Sequence, residues 1–295
     1  MECYKMTEPL IDIKNVNKVF KKQRTLDDLS LSIRLGDRIA LVGSNGAGKT
    51  TLIRCILGEY IHEGEIFFDG LAPRHNRQAV LGRIGFVPQN PPPLRMPVHD
   101  LVGYVATACK SDHAHIQDIA TRMGLDVEEV SSKPFVKLSG GQKQKLLIAM
   151  ALGRPCDLLV FDEPTANLDP AARQVLFDLL YERTDKSMII SSHRLEEVAA
   201  LVNRVVEMDR GQVVLDDHVE DAVGTSGRLK CDITISKPLK AFERTIGEWN
   251  FQSRDSLHWT GEVGGPDRLR FLGTLSRYAG VIKAVHMDEN ARKTP

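Results

Sequence analysis

The chain has 295 residues; 42% are hydrophobic and 26% are charged. That composition fits a soluble globular protein with a real core and excludes disorder, collagen-like repeats and coiled coil as overall descriptions. Lysine plus arginine number 39 and aspartate plus glutamate number 39, so the formal net charge is zero. A basic excess, the usual mark of a nucleic-acid-binding domain, is missing. The length predicts one large domain, or one domain with a small second one. The five cysteines (Cys3, Cys55, Cys109, Cys156 and Cys231) are scattered and form no CxxC pair, which argues against a zinc framework or a disulfide scaffold and fits a reducing cytoplasm. The opening residues carry no apolar stretch of leader length. The longest apolar run, Leu146–Leu152, is far short of the ~20 residues that cross a bilayer. Action at a membrane would then run through a partner.

In chain order, Ile11, Ile13, Val19 and Phe20 suggest a strand. Leu29–Leu35 alternates apolar and polar residues with period two. Leu29, Leu31, Ile33 and Leu35 are expected to face a core, with Ser30, Ser32 and Arg34 toward solvent, as in an antiparallel strand with one wet face. The pattern then changes. Four short apolar runs each end in a polar or glycine-rich element: Ile39–Val42 before GSNGAGKT, Ile84–Val87 before Pro88-Gln89, Leu158–Phe161 before Asp162-Glu163, and Met188–Ile190 before Ser191-Ser192-His193. Such runs fit buried parallel strands, and an open α/β sheet binds ligands beyond the carboxyl ends of its strands. One convergent site is expected there.

Residues from 91 onward read as a helical insertion, with a rigid loop at Pro91, Pro92, Pro93 and Pro97 and helices around Val98–Lys110 and His115–Met123. A hairpin turn at Asp209–Gln212 joins Val205-Val206 to Val213–Leu215. A Gly/Ser-rich linker follows at about Val223–Arg228. The remaining residues read β-α-β-β-α-β: strands Leu229–Ile235, a pair within Phe251–Val263, and Val281–His286, with helices Pro238–Trp249 and Pro266–Tyr278. That order is the ferredoxin-like split βαβ. Cys231, His258, His286 and Met287 share no metal-binding spacing and read as scattered ordinary residues.

Gly43-Ser44-Asn45-Gly46-Ala47-Gly48-Lys49-Thr50 fits G-x-x-x-x-G-K-[ST] in full, between a strand and a helix-compatible run starting at Thr51. The glycines let backbone N–H groups curl around phosphate oxygens, and the helix points its positive dipole end at them. Lys49 should reach the β- and γ-phosphates, and Thr50 should offer its hydroxyl to Mg²⁺. Asp162 can hold that Mg²⁺ and Glu163 can polarise an attacking water; a metal relieves the repulsion between the two carboxylates. Ser139-Gly140-Gly141-Gln142 has capping-box spacing at a helix start, and its glycines also leave a bare helix N-terminus suited to an anion.

GSNGAGKT, Gln89, LSGGQ, LVFDE, Asn167-Leu168-Asp169 and His193, in this order, resemble the ATP-binding subunit of ABC transporters over about residues 10–222. The resemblance implies an α/β fold: a P-loop NTPase (ABC ATPase) core, 1–222, with an N-terminal antiparallel β-region and a helical insertion at about 91–155. A small C-terminal α+β (ferredoxin-like) domain, 223–295, would serve regulation or dimerisation. It implies an ATPase that uses ATP and Mg²⁺. Phe20 would stack on adenine, and Gly43 through Thr50 together with Thr51 would bind ATP. Thr50, Gln89 and Asp162 would serve Mg²⁺. Glu163 would be the catalytic base, assisted by Gln89 and by His193 at the γ-phosphate. Ser139, Gly140, Gly141 and Gln142 would contact ATP held by a second copy, and Asp169 would couple the two sites. The implied partners are a homodimer mate and a transmembrane permease, at the cytoplasmic face of the membrane and without nucleic acid. Lys145 and Met150 depart from arginines common in relatives, which puts some polar contacts at the dimer side in question. The tail resembles those of ABC-2-type exporters, including the subunits that serve nitrous-oxide-reductase maturation. The competing reading is a soluble ABC ATPase of translation or DNA repair, which usually carries two ATPase units or long insertions that this chain lacks.

Overall fold

Alternation in the first strands sets the N-terminal layer. The computed structural model describes residues 9–193, 195–218, 228–253, 255–264, 271–272, 274–275, 278 and 280–289. The chain divides into two compact units, Met1–Val219 and Glu220–Pro295. The first unit runs β1 (Ile11–Phe20), β2 (Gln23–Ile33), β3 (Arg38–Val42), α1 (Lys49–Ile56), β4 (Glu63–Phe68), α2 (Arg77–Leu81) and β5 (Ile84–Val87). It continues with α3 (Val98–Cys109), α4 (His113–Arg122), α5 (Gly140–Leu152), β6 (Leu158–Asp162), α6 (Pro170–Tyr181), β7 (Ser187–Ser192), α7 (Leu195–Val198), β8 (Arg204–Asp209) and β9 (Gln212–His218).

β1 lies between β2 and β4 in an antiparallel sheet, with Ile11 opposite Ile33 and Ile13 opposite Leu31. Leu29, Leu31 and Ile33 are buried, as their period predicts. Leu35 is not: it is 73% exposed. β2 ends at Ile33, and a turn closed by Asp37 N–H on Arg34 C=O, with Gly36 at φ 88°, lifts Leu35 out of the sheet. The alternation runs two residues past the strand that it describes.

The second sheet has the order β5-β6-β7-β3-β8-β9. Its first five strands are parallel, and β9 returns antiparallel to β8. The returning turn has Arg210 and Gly211 both at positive φ, as a tight two-residue hairpin loop requires. Every residue of β6 and β7 is buried, which is why Leu158–Phe161 and Met188–Ile190 within them read as continuous apolar runs. Odd and even positions face different cores. Leu158, Val160 and Ile189 pack with Ile13, Leu29 and the α1 residues Leu52, Ile53 and Ile56. Leu159, Phe161 and Ile190 pack with Ile116, Ile148 and Leu176 from the helical layer of α4, α5 and α6. The expected insertion helices are present, shifted by one or two residues at their ends.

The second unit contains β10 (Arg228–Ile235), α8 (Lys240–Gly247), β11 (Gln252–Ser253), β12 (His258–Gly264) and β13 (Ile282–Glu289). The sheet order β11-β12-β10-β13, antiparallel throughout, is that of the ferredoxin-like pattern. Phe242 and Ile246 of α8 pack on Cys231, Ile233, Ile235 and Trp259. Of the second expected tail helix, residues 271–272 and 274–275 are helical, and the rest lies mostly outside the described residues. The expected linker lies outside them too, except Arg228, which opens β10. Cys231 is buried opposite Met287, whereas His286 pairs one position along with Asp232, and His258 is held by Asp255 at 2.7 Å.

Candidate functional site

Four neighbouring parallel strands, β5, β6, β7 and β3, deliver their carboxyl ends to one edge. Gln89 follows β5, Asp162 and Glu163 end or follow β6, Ser191 to His193 end or follow β7, and Gly43 to Lys49 follow β3. Strand adjacency thus assembles what lies 150 residues apart in sequence.

The phosphate loop is shaped by close backbone contacts. Gly43 sits at φ 146°, and a Cβ there would lie 2.3 Å from Met208 C=O; Gly48, at φ 107°, would strike Thr25 C=O at 2.7 Å. Gly46 has positive φ with open space around it. The loop is braced by Gly211 N–H donating to Ala47 C=O at 2.9 Å, and Ala47 N–H donates to Ser44 C=O at 3.1 Å. Lys49 opens α1 and is buried; its Nζ donates to Gly43 C=O at 2.5 Å and to Ser44 C=O at 3.2 Å. Burial holds its pKa below the ordinary lysine value, opposed by the negative charges of Glu163 and Asp162. Asn45 lies in the loop and Thr51 in the first turn of α1, whose positive end faces the loop.

Asp162 is fully buried. Its Oδ1 accepts from Thr50 Oγ1 at 3.2 Å and from Ser191 Oγ at 2.7 Å. Its Oδ2 is buried with no hydrogen-bond partner among the described residues. An orphaned carboxylate oxygen next to a threonine hydroxyl is a donor set suited to Mg²⁺, a hard cation that takes oxygen ligands. Glu163 adopts a left-handed backbone, φ 50°, uncommon for a residue with a Cβ and a mark of functional turns. Its N–H donates to Ser191 Oγ at 2.9 Å. Its two carboxylate oxygens are held separately, Oε1 by His193 Nε2 at 2.7 Å and Oε2 by Gln89 Nε2 at 2.9 Å. Ser191, expected in the polar element beyond the Met188–Ile190 run and without a role of its own, lies inside β7 and links Asp162 to the backbone of Glu163. Its signal was its position one residue inside the strand end, in register with Asp162 across the β6–β7 ladder.

Ser139 caps α5. Its Oγ accepts from Gln142 N–H at 3.2 Å, and Gln142 Oε1 accepts from Ser139 N–H at 3.0 Å, a complete capping box. Gly140 and Gly141 pass close to Asn167, and a Cβ on Gly141 would lie 3.2 Å from Asn167 C=O. The hydrogen bonds of Ser139 and Gln142 run within this cap and not to the phosphate loop. Asp169 caps α6 through Ala172 N–H at 2.8 Å, and Lys145 Nζ lies 3.4 Å from its Oδ2. The Ala172 N–H bond, with Lys145 in support, holds the Asp169 carboxyl below the usual range. Lys145 therefore makes a polar contact, with Asp169 of its own chain. Phe20, at the end of β1, is 39% exposed. It meets Tyr60 edge-on at 5.2 Å, and Lys18 Nζ lies 4.5 Å over its ring. The structure thus gathers the phosphate loop, Gln89, Asp162, Glu163 and His193, while Phe20 and the 139–142 cap stand on other elements.

Residues 26–166 match the family model described as ABC transporter. The energy-coupling factor transporter ATP-binding protein of Clostridium tetani is 32% identical over 266 residues, covering 84% of this chain and 92% of that protein. The SkfA peptide export ATP-binding protein of Bacillus subtilis is 31% identical over 218 residues, covering 71% and 90%. A solved ATP-binding subunit of an ABC transporter superposes with a TM-score of 0.64 at 24% identity, over 72% of this chain and 91% of that one.

Proposed function

Since the chain belongs to the ABC transporter ATP-binding family, we propose that it is the ATP-hydrolysing subunit of a membrane transporter and works as a pair of chains around two ATP molecules. The carrying observation is Glu163, held on one oxygen by His193 and on the other by Gln89, beside the orphaned oxygen of Asp162. This is a carboxylate aimed and preorganised as a general base next to a phosphate cradle.

In this reading the loop N–H groups and Lys49 bind the phosphates, and Phe20 supports the adenine. Glu163 takes a proton from water as that water's oxygen bonds the γ-phosphorus. The bond from the γ-phosphorus to the bridging oxygen breaks, and ADP and phosphate leave. His193 keeps Glu163 oriented and faces the γ-phosphate. Asp162, Thr50 and Gln89 would hold Mg²⁺, which supplies neutralisation of phosphate charge when bound. The 139–142 cap has its own glycines and bare helix N-terminus but no bond to its own phosphate loop, which supports its use on the ATP of a second chain. Asp169, which caps α6 and meets Lys145, would couple the two sites.

Among the described residues no helix is long and apolar enough to cross a membrane. Leu94, Met96 and Tyr104, all in the segment after Gln89, are exposed apolar side chains, Tyr104 at 65%. They support docking of a permease at the cytoplasmic face, next to the residue that reports on the catalytic site. The α+β tail favours an ABC-2-type exporter, the group that includes nitrous-oxide-reductase maturation. The test is purification of the full chain with what it binds. Stable recovery of a multi-helix membrane protein, whose presence changes ATP turnover, is expected. Association with ribosomes or DNA alone would replace this reading with that of a soluble ABC ATPase.

A further inference from the structure

Two adjacent side chains of α5 grip the loop that leaves β6. Gln144 is fully buried, and its Nε2 donates to Pro164 C=O at 3.1 Å. Its Oε1 is buried with no partner among the described residues. Half-satisfied buried amides are uncommon, and each calls for an explanation. Proline has no N–H, so its carbonyl is the only polar backbone handle at that position. Pro164 directly follows Glu163, whose backbone stands at φ 50°. The next side chain, Lys145, reaches Asp169 at the far end of the same loop. Both lie within two turns of the Ser139 cap, on a helix whose remaining length is packed into the core.

We propose that Gln144 and Lys145 are positioning residues that tie the 139–142 cap of a chain to the catalytic base of that same chain. The inference rests on the paired-chain reading above. If the cap touches ATP held by the partner, any shift of α5 on contact is passed by Gln144 to the Glu163–Pro164 backbone and by Lys145 to Asp169. Occupancy of one site then sets the base of the other, and the coupling is reciprocal. A buried hydrogen bond on the backbone next to the base can do this where loose packing cannot, because a misplacement near 1 Å suffices to cost a large factor in rate.

The test measures ATP turnover against ATP concentration for the full chain, with Gln144→Met, Lys145→Met and Lys145→Arg. Wild type is expected to show ATP-dependent pairing and a Hill coefficient above one. Gln144→Met should lower kcat by about tenfold to a hundredfold, leave half-saturation within about twofold, and bring the Hill coefficient to one. Lys145→Met should move the same way, and Lys145→Arg should restore wild-type behaviour. Melting temperature and binding of a fluorescent ATP analogue confirm that each variant is folded. Should Gln144→Met fail to fold, the Lys145 pair decides the matter alone. Folded variants that keep the wild-type Hill coefficient and kcat overturn the inference. A paired wild type with a Hill coefficient of one overturns it while leaving the paired-chain function standing; absence of any ATP-dependent pairing overturns both.

Discussion

His193 Nε2 lies 2.7 Å from Glu163 Oε1 and holds one oxygen of a carboxylate whose other oxygen is taken by Gln89. Glu163→Gln keeps the shape of this clamp and removes the proposed base. Turnover is expected to fall by about 10²–10⁴-fold. ATP binding should persist, and the paired form should accumulate with ATP on size-exclusion chromatography. Full turnover by this variant would remove Glu163 from its role. His193→Ala should lower turnover in the same direction, with ATP affinity changed far less.

Ser191 joins Asp162 to the backbone of Glu163 through a single hydroxyl. Ser191→Ala takes the acceptor from the part-buried Glu163 N–H and one of two donors from the buried Asp162 Oδ1, which keeps Thr50. A stability loss of about 1–3 kcal/mol is expected in urea unfolding, together with slower turnover, since Glu163, the proposed base, loses its backbone anchor. Wild-type stability and rate in this variant would show that water replaces the hydroxyl without cost.

Ser139→Arg fills the bare helix start with a long cation and removes the cap. The cap alone accounts for about 1 kcal/mol. ATP binding to the isolated chain should remain, because among the described residues the hydrogen bonds of the Ser139 and Gln142 side chains stay within the cap. ATP-dependent pairing and turnover should be lost; normal turnover would contradict the role given to this segment.

Gly43→Ala places a methyl 2.3 Å from Met208 C=O, a backbone atom that cannot rotate away. The positive φ adds strain for any L side chain. A destabilisation of about 2 kcal/mol or more is expected from chemical unfolding, with ATP binding lost in parallel. Gly46→Ala, at open space, should retain more stability than Gly43→Ala.

Asp216 accepts both Arg204 Nε and Arg204 Nη2 at 2.7 Å, and Arg204 also reaches Asp37. The paired guanidinium holds the Asp216 carboxyl below its usual range. A carboxylate depressed on folding adds stability above the ordinary range, near pH 4, and loses it as pH falls through the lowered value. Asp216→Asn should melt below wild type at neutral pH, and the gap should close as the pH is taken down toward 3. A gap that stays constant with pH would show that charge plays no part.

Much of this protein was legible in its residues. The phosphate loop declares itself because only glycine tolerates positive φ with a backbone atom against its Cα, as at Gly43 and Gly48. The parallel strands are readable because burial on both faces leaves little but apolar residues. Capping at Ser139–Gln142 is local chemistry, so spacing alone revealed it. What escaped the sequence depends on neighbours far along the chain. Leu35 obeys the alternation yet stands in solvent, because a turn and not a period ends its strand. Ser191 looks like part of the polar stretch beyond a strand until β6 and β7 pair in register and set it between Asp162 and Glu163. Gln144 reads as an ordinary helix residue, and Lys145 only as a replacement for a common arginine, until α5 packs against the loop after β6. Periodicity and motif spacing record what the backbone does within a few residues, whereas the partners of a buried polar atom are chosen by sheet order and layer packing, which arise only when the whole chain has folded.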